Sequence, residues 1–568
     1  MQARILPPLV LLLGTTLTWA ATPATPDPAT AADAIVSDFV YESLALSPVT
    51  ATASGYHLHH SARLDERLDD YSTSGLKAQG NFYRGLQQRI AALDRSRLDR
   101  ERLADLGIVS NNIGLSLLEL ERIQSFRHNP TVYVELIGNA LYTPYVLEYA
   151  PKAARYQHII ARLRAVPRLL QQARANLADA PEVWNRVAQE ENDGNIDLID
   201  TTLRMEVPTE LKSAYAAAAT PALASLKAFN GYLKDTLSKH TSDWRLGADN
   251  YARKCSKVLD TGRSPDELLA AAEAQLKNLR VEMEKLAAPQ GVKEALDTIA
   301  AQHSTPASYM DDARRDLASA TAFVRERDLL TLPDTRNLQV IETPAFMRGI
   351  YGVGGFNPAP ALEPQLGAFY WITPIPASWP AERVESKLRE YNRFGLEHLT
   401  IHEAMPGHYV QMEYAGRVEP PARRVLRNLW GNGPYIEGWA VYTQRMMTDE
   451  GYLGGDKGLR LTLYKQLLRS VANTILDIRL QTKGMTEQQA LDLMINDTYQ
   501  EREEAVAKYQ RAQLSSCQLD MYFAGYQAWL EVRNHYMERH PGNTLKSFHE
   551  AALKESAVPL PTLDTLLQ

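Results

Sequence analysis

The strongest constraint on the fold of this chain is the spacing of its apolar residues, which recur every three or four positions from about residue 33 to residue 328. That period matches the 3.6 residues per turn of an α-helix, so each such segment has one apolar face to bury. A helix start is visible at Ser264, because a proline follows it and Glu267 stands three residues later, as in a capping box. The sequence therefore predicts a mainly α-helical protein, and its 568 residues suffice for a large core.

A short region between residues 329 and 380 breaks this helical pattern. Residues 338–341 are predicted to form a short strand, and the aromatic and β-branched run at residues 367–373 predicts another. Pro374 and Pro376 follow this second run, and because proline cannot donate to a strand ladder, we expect the strand at a sheet edge. An extended peptide could pair with such an edge, although a small structural hairpin fits these residues equally well.

The first 20 residues have the features of a secretory signal peptide. Arg4 is basic, residues 5–17 are apolar apart from a proline pair, and Ala20 ends the segment with a small residue. The apolar stretch is too short to span a bilayer, and no cysteine follows it to carry a lipid anchor. We expect residues 1–20 to be removed, residues 21–32 to be an Ala/Thr/Pro-rich linker, and the mature protein to be periplasmic or secreted without a membrane segment.

The overall charge and the cysteine content limit the partners and cross-links. A formal net charge of −7 and the absence of any Lys/Arg run argue against nucleic acid as a partner. Cys255 and Cys517 are the two cysteines of the chain, and in an oxidising compartment they either pair or remain buried thiols. Neither has the spacing of a metal site.

Two histidines and a glutamate lie close together in the segment IHEAMPGHYVQ, residues 401–411. His402, Glu403 and His408 nearly form the signature H-E-x-x-H, in which histidines one helical turn apart bind zinc and the glutamate activates water. Here the histidines are six residues apart, which places them about 120° apart around a straight helix. The Pro-Gly pair between them can break the helix and return His408 to the ion. A helix end with two solvated histidines fits these residues equally well.

Two further residues bear on the ligand set. His398 lies four residues before His402, so the two would share a helix face without any break, and His398 is a rival to His408. We rank it second because Glu403 would then lie outside the histidine pair. Glu437 lies 29 residues after His408 in a helix that opens with Gly-Pro, as expected for a zinc site of two histidines and one glutamate. A solvated glutamate is the alternative, but its tyrosine, isoleucine and tryptophan neighbours disfavour exposure.

Taken together, these motifs resemble the bacterial family catalogued as domain of unknown function 885. Its hallmark, H-E-A-x-P-G-H-x-x-Q, is present at residues 402–411, and its E-G-W-A block at residues 437–440. Residues 48–72 resemble its opening segment, residues 358–370 resemble its strand region, and Tyr522 begins its Y-x-x-G block. The resemblance covers essentially the whole mature chain. The family is itself similar to mostly helical zinc peptidases with a deep cleft.

This resemblance implies roles for further residues. Tyr522 would donate a hydrogen bond to the oxyanion that forms during hydrolysis, whereas its apolar surroundings alone would favour a packed core tyrosine. The candidates for binding substrate are Tyr370 in the strand region, Gln411 at the end of the hallmark, and Arg479. Arg479 is embedded in an apolar helix, and its simplest partner is Asp477 or a carboxylate of the cleft.

We therefore predict a two-lobed, mainly α, zincin-like fold with a deep cleft and a small mixed sheet beside the metal site. The N-terminal helical lobe is expected to span residues 33–330. A catalytic lobe is expected to span residues 331–568 and to hold the edge strand, the metal-binding helices and the C-terminal helices.

In the expected reaction, His402, His408 and Glu437 hold Zn²⁺, and Glu403 is the general base for hydrolysis of a peptide or small amide. Two alternatives stay open. The first is a metal-dependent hydrolase or lyase of a non-peptide amide or a modified amino acid. The second is a non-catalytic periplasmic binding protein on a peptidase fold, which the presence of all four residues disfavours. The sequence carries no signal of an oligomeric state.

Overall fold

The computed structural model of the chain describes residues 27–333, 337–344, 347–348 and 351–568. Most of these residues are helical, which confirms the predicted mainly α fold. The predicted signal peptide, residues 1–20, lies outside the described residues. In the described part of the chain, none of the helices combines the length and the apolar character needed to cross a membrane.

The helices are numbered in chain order. The first ten are α1 (Pro28–Leu46), α2 (Pro48–Ala53), α3 (Thr73–Ala91), α4 (Arg100–Leu118), α5 (Ser125–His128), α6 (Thr131–Val146), α7 (Lys152–Asn176), α8 (Glu182–Asp197), α9 (Arg204–Glu206) and α10 (Lys212–Asp235). The next seven are α11 (Gly247–Val258), α12 (Pro265–Ala287), α13 (Val292–Ala300), α14 (Tyr309–Glu326), α15 (Ala381–Glu390), α16 (Arg393–Glu403) and α17 (His408–Ala415). The remaining ones are α18 (Pro421–Leu429), α19 (Gly433–Asp449), α20 (Lys457–Thr482), α21 (Glu487–Asp492), α22 (Arg502–Leu514), α23 (Asp520–Arg539), α24 (Leu545–Lys554) and α25 (Leu560–Leu566).

Several helix ends follow directly from the local sequence. The capping box predicted at Ser264 is present, with the Ser264 hydroxyl and the Glu267 carboxylate each accepting from the other's backbone N–H. Asn432 caps α19 by accepting from the backbone N–H of Tyr435. Helix α1 begins at Pro28, inside the stretch predicted as linker, because the Asp27 side chain caps it and proline is tolerated at its first position.

The strands form two small sheets. β1 (Leu58–His59) pairs antiparallel with β2 (Ala62–Arg63), while β3 (Leu338–Glu342), β4 (Gly354–Asn357) and β5 (Ala368–Ile372) form a mixed sheet in the order β3-β5-β4. β5 runs parallel to β3 and antiparallel to β4.

The prediction that the strand at residues 367–373 lies at a sheet edge is wrong. β5 is the central strand of its sheet, and all five of its residues are buried. Its ladder ends at Ile372, so Pro374 and Pro376 lie beyond the last paired residue and remove no hydrogen bond from it. The edge strands of this sheet are β3 and β4.

The buried apolar side chains form two large clusters that do not divide the chain near residue 330. Residues 133–237 supply one cluster, and residues 32–113 share the other with residues 251–567. The N-terminal helices join the C-terminal ones because α1 and α4 pack against α18. Buried ion pairs reinforce this contact, with Asp105 of α4 accepting from Arg423 at 2.6 Å and from Arg427 at 2.8 Å.

A disulfide links the two cysteines. Cys255 in α11 is bonded to Cys517, 262 positions away, in the turn that leads into α23. Of the two states that the sequence left open, the structure therefore has the paired one. The bond attaches the start of α23 to the helices of the N-terminal half.

Candidate metal centre

The two histidines of the hallmark lie on different helices. His402 is in the last turn of α16, which ends at Glu403, and His408 is the first residue of α17. The predicted break at the Pro-Gly pair is therefore present. Gly407 has no room for a side chain, since a Cβ there would lie 1.9 Å from the carbonyl oxygen of His402. The chain folds back tightly enough at this point to bring the second imidazole to the first.

The metal-binding atoms of three predicted ligands converge. The Nε2 atoms of His402 and His408 each lie 3.5 Å from the same carboxylate oxygen, Oε2 of Glu437. The two imidazole rings meet edge to face, with their centroids 4.8 Å apart. Glu437 comes from the second turn of α19, so three helices supply one ligand each.

The electrostatics of these three groups are those of a buried, mutually charged cluster. Burial by itself raises the pKa of Glu437, but hydrogen bonding and charge from His402 and His408 outweigh it and hold the pKa far below its ordinary value. Burial lowers the pKa of His408, yet the Glu437 carboxylate outweighs this and raises it. Glu437 is thus ionised at any physiological pH.

The donor set fits zinc. Zinc bonds of about 2.0–2.1 Å in a tetrahedron place neighbouring ligand atoms roughly 3.3–3.4 Å apart, close to the observed 3.5 Å. Oε2 of Glu437 is buried, and its 3.5 Å contacts with the two imidazoles do not form well-aligned hydrogen bonds. A buried carboxylate oxygen held at the outer limit of hydrogen-bonding distance from two imidazole nitrogens is what a cation between them would satisfy.

His398 does not join this cluster. Its side chain is fully buried, and Nε2 lies 3.0 Å from the carbonyl oxygen of Leu459 on α20. Burial lowers its pKa to about 4, so the ring is neutral and serves as a hydrogen-bonding core residue. The rival ligand set with His398 in place of His408 is therefore not the one that the structure brings together.

A second group of potential ligands lies at the surface. Glu42, His59 and His60 also bring three ligand atoms within 4.8 Å of one another. His60 is exposed, and the other two are half-buried. Groups of this kind are common on protein surfaces, and no general base stands beside this one in the way that Glu403 stands beside His402.

The turn between the histidines is held by α19. The Nε1–H of Trp439 donates to the carbonyl oxygen of Pro406 at 2.9 Å and approaches that of Gly407 at 3.3 Å. Helix α19 in turn packs closely on α23, because Gly438 and Gly525 face each other where a Cβ on either would lie under 3 Å from the other's backbone. This close approach brings the first turn of α23 to the metal ligands.

Tyr522 lies beside the cluster, as the resemblance implied. Its ring is stacked near that of His402, with the centroids 6.3 Å apart, and its hydroxyl accepts from Nε2 of Gln518 at 3.3 Å. Burial and the Glu437 charge raise the pKa of Tyr522 to about 12, against the lowering effect of Arg511. The phenol therefore keeps its proton at neutral pH and can act as a donor.

Two of the three candidates for binding substrate, Tyr370 and Gln411, are buried. Tyr370 is fully buried in β5, with its hydroxyl 3.1 Å from Oγ1 of Thr400. Gln411 is 2% exposed, donates to the carbonyl oxygen of Tyr435 at 3.3 Å, and lies behind His408, whose pKa it helps to raise. Neither side chain is open to a substrate, and Gln411 is better placed to orient His408.

Arg479 pairs with neither Asp477 nor a carboxylate of the metal cluster. Its guanidinium donates to Glu273 of α12 at 2.6 Å, and both side chains are about two-fifths exposed. Asp477 is buried and accepts from the backbone N–H of Leu519 at 3.1 Å instead. Arg479 and Asp477 are two residues apart on one helix, and side chains at that spacing do not face each other, so their closeness in sequence does not predict an ion pair.

Sequence analysis missed two residues close to the site. Arg511 of α22 hydrogen-bonds the Tyr522 hydroxyl and donates to Oε1 of Gln518 at 3.2 Å. Tyr351, just before β4, lies close enough to Glu403 and Glu437 for both carboxylates to add to the effect of burial and raise its pKa. Neither residue belongs to a motif that the sequence signalled.

Comparison with known proteins places the chain among proteins without an assigned function. A family model described as "Bacterial protein of unknown function (DUF885)" matches residues 48–567. A solved structure from Shewanella oneidensis, described as "a putative lipoprotein of unknown function", is 26% identical, with a TM-score of 0.79 over 95% of this chain and 100% of that one. Another, "the putative lipoprotein from Colwellia psychrerythraea", is 18% identical, with a TM-score of 0.76 over 95% and 98%, and shares the fold. No curated protein matches the chain.

Proposed function

Because the chain belongs to the bacterial family DUF885, whose function is unknown, we propose its function from the chemistry of the site: zinc-dependent hydrolysis of peptide bonds. The observation that carries this proposal is the position of one buried carboxylate oxygen of Glu437, 3.5 Å from the Nε2 atoms of both His402 and His408. Three protein ligands of this type leave a fourth tetrahedral position open, as in catalytic zinc sites.

Glu403 is the general base in this proposal. When bound, zinc would lower the pKa of a water molecule and polarise the substrate carbonyl. Glu403 follows His402 directly, is half-buried, and receives no hydrogen bond from any described residue, so its carboxylate is free to take a proton from water. The water oxygen then bonds to the carbonyl carbon, the C–N bond breaks, and Glu403 delivers the proton to the leaving amine.

Tyr522 is the donor to the developing oxyanion. It keeps its proton because its pKa is raised to about 12, and Gln518 and Arg511 fix the position of its hydroxyl. A pre-positioned donor of this kind stabilises the transition state more than the substrate, because the negative charge on the carbonyl oxygen grows as the bond forms.

We also propose the finer architecture that the sequence suggested, a two-lobed zincin-like fold with a substrate cleft beside the mixed sheet. The two separate apolar clusters support two lobes, with residues 133–237 in one and the residues of the larger cluster in the other. The half-buried positions of His402, Glu403 and Glu437 support a cleft at the metal site. The cavity of about 410 Å³ lined by Phe126, Trp184, Lys254 and Ser516 is a separate one, which none of these three residues lines.

An extracytoplasmic location completes the proposal. The N-terminal segment has the features of a signal peptide, and a disulfide joins Cys255 and Cys517, as expected in an oxidising compartment. Two similar structures are described as lipoproteins, which points the same way.

The test combines metal analysis with hydrolysis of a mixed-peptide library, and a panel of non-peptide amides is assayed in parallel. We expect purified protein to contain zinc, to cleave peptides, to lose activity on chelation and to regain it when zinc is restored. Cleavage of the amide panel but not of peptides would show that the substrate is a non-peptide amide instead of a peptide. Absence of hydrolysis by the zinc-loaded protein in both panels would refute the proposal.

A further inference from the structure

Buried charges gather where α15, α20 and α22 meet. The cluster contains five cationic side chains and two carboxylates. Its members are Lys387, Glu390, Lys465, Arg469, Glu504, Lys508 and Arg511. Positive charge is therefore in excess, which is unusual for groups that are mostly buried.

Both carboxylates of this cluster already have close cationic neighbours, although Oε1 of Glu390 accepts no hydrogen bond from any described residue. Glu390 accepts from Lys465 at 2.7 Å and lies 3.7 Å from Arg469. Glu504 lies 3.4 Å from Arg469 and 3.5 Å from Lys387. These contacts pair three of the five cations and leave two over.

Lys508 is the buried cation without a partner. Its side chain is 7% exposed, and no described residue lies within hydrogen-bonding or ion-pair distance of its ammonium group. Burial, followed by repulsion from Arg469 and Arg511, lowers its pKa well below the ordinary value. An unpaired buried lysine destabilises a fold, and an anionic partner that binds from outside would offset that cost.

Arg511 connects this lysine to the metal centre. It lies three residues after Lys508, on the same face of α22, and its side chain is exposed. Its guanidinium hydrogen-bonds Tyr522, whose ring stacks near His402, and it has no carboxylate partner within ion-pair distance among the described residues. Arg511 is therefore a cation in contact with the residue that would face the reacting carbonyl, and Lys508 lies about one helical turn before it on α22.

We propose that Lys508 and Arg511 bind the C-terminal carboxylate of a peptide substrate, so that the protein is a carboxypeptidase that releases one or two residues. An extended residue spans about 3.3–3.6 Å, and side chains three apart on a helix begin about 5–6 Å from each other. Arg511 hydrogen-bonds the Tyr522 hydroxyl, which would itself donate to the reacting carbonyl, so two consecutive hydrogen bonds of about 3 Å each separate the guanidinium from that carbonyl. A carboxylate held by Arg511 and Lys508 would therefore follow the cleaved bond by one or two residues. This inference rests on the proposed function, and it adds that the peptide is cleaved from its C-terminal end.

The direct experiment compares two libraries of N-acetylated hexapeptides that differ at the C-terminus, one with free acids and one with carboxamides. The zinc-loaded protein should remove one or two residues from the acids and leave the amides largely intact. Equal cleavage of both libraries, or cuts in the middle of the peptides, would overturn the carboxylate subsite and leave the proposed hydrolysis standing.

Two variants separate recognition from folding. Lys508→Met should raise KM for the acid peptides by about 10- to 100-fold, because a charge-assisted hydrogen bond to the carboxylate is lost. Arg511→Gln should raise KM likewise and also lower kcat, because Arg511 also hydrogen-bonds the Tyr522 hydroxyl. The control is Arg502→Gln, which removes an exposed cation from the first turn of the same helix. Lys508→Met should keep or raise the melting temperature, whereas a lysine with a purely structural ion pair would lower it.

A binding measurement decides the matter without turnover. Glu403→Gln protein is mixed with each library, and the retained peptides are identified by mass spectrometry. The subsite is supported if Glu403→Gln protein retains the acids and not the amides, and if the Glu403→Gln/Lys508→Met double variant no longer retains the acids. Failure to retain the acids, or equal retention of both libraries, contradicts it. If the acids are retained but the wild type cleaves neither library, the subsite stands and the proposed hydrolysis fails.

Discussion

The indole N–H of Trp439 donates a hydrogen bond of 2.9 Å to the carbonyl oxygen of Pro406. This contact joins the two sequence blocks of the site, because Trp439 lies two residues after the proposed ligand Glu437, and Pro406 lies in the turn between the two histidines. The position of the third ligand and the fold of the turn are therefore coupled through one side chain. Outer contacts of this type commonly change metal affinity by about 10- to 100-fold.

We predict that Trp439→Phe weakens zinc binding by roughly 10-fold or more, because the turn loses its anchor while the aromatic packing is largely kept. The measurement is zinc affinity by competition with a chromogenic chelator. Trp529→Phe is the matched control, since it also removes an indole hydrogen bond, of 2.8 Å to the carbonyl oxygen of Tyr435, outside the turn. Equal zinc affinity for wild type and Trp439→Phe would contradict the coupling.

The ligand set itself predicts a pattern of metal loss. His402→Ala, His408→Ala and Glu437→Ala should each lower zinc occupancy and, because bound metal stabilises only the folded state, the melting temperature of the zinc-loaded protein. His398→Ala should lower the melting temperature through its lost core packing, but folded protein should keep its zinc. Elemental analysis of each purified variant decides this. A variant set in which His398→Ala strips the metal and His408→Ala does not would reverse the assignment.

For Tyr522→Phe we predict a fall in kcat of about 10²- to 10³-fold, because the oxyanion loses its donor. Zinc content and melting temperature should change little, since the ring itself is kept. Tyr526→Phe, one turn later on α23, serves as the control for loss of a tyrosine hydroxyl from this helix. An active Tyr522→Phe enzyme with a lowered melting temperature would return Tyr522 to a structural role.

Stability should fall as pH rises through neutrality, owing to a buried pair of acids. Burial, and then the nearby charge of Glu397, raises the pKa of Asp316 to about 8, while Tyr452 donates to Glu397 at 2.8 Å. A carboxyl whose pKa is raised by folding stabilises the fold fully below its unfolded value, near 3.9, and loses that contribution as pH rises through about 8.

Asp316→Asn should remove this pH dependence, because the amide cannot lose the shared proton. The free energy of unfolding is measured with denaturant at pH 5, 7 and 9 for both proteins. The difference, variant minus wild type, is expected to grow with pH. A constant difference across the three values would show that the pair holds no proton.

Much of the fold and the centre of the site could be predicted because they rest on local sequence. Capping residues, helical period and the Pro-Gly break act within a few positions, so the ends of α12 and the separation of His402 from His408 follow from neighbouring residues. The position of Glu437 beside the two histidines could also be predicted, since its apolar neighbours in α19 must be buried.

The errors concern contacts between residues that are far apart in sequence. The central place of β5 depends on two partner strands and not on the prolines that follow it. Arg479 pairs with Glu273, 206 positions away, and the burial of Gln411 depends on the packing of α17 against α19. Arg511 and Lys508 were missed for the same reason, because a lysine without a partner is visible only when all of its surroundings are known.

The most direct test of the central claim is turnover and bound zinc measured together in Glu403→Gln. Glu403 is assigned as base and not as ligand, so the variant should retain about one zinc ion per chain at the His402, His408 and Glu437 site. Its rate of peptide hydrolysis should fall by roughly 10²- to 10⁴-fold, the usual effect of losing a general base. Wild-type turnover in the zinc-loaded variant would contradict the account.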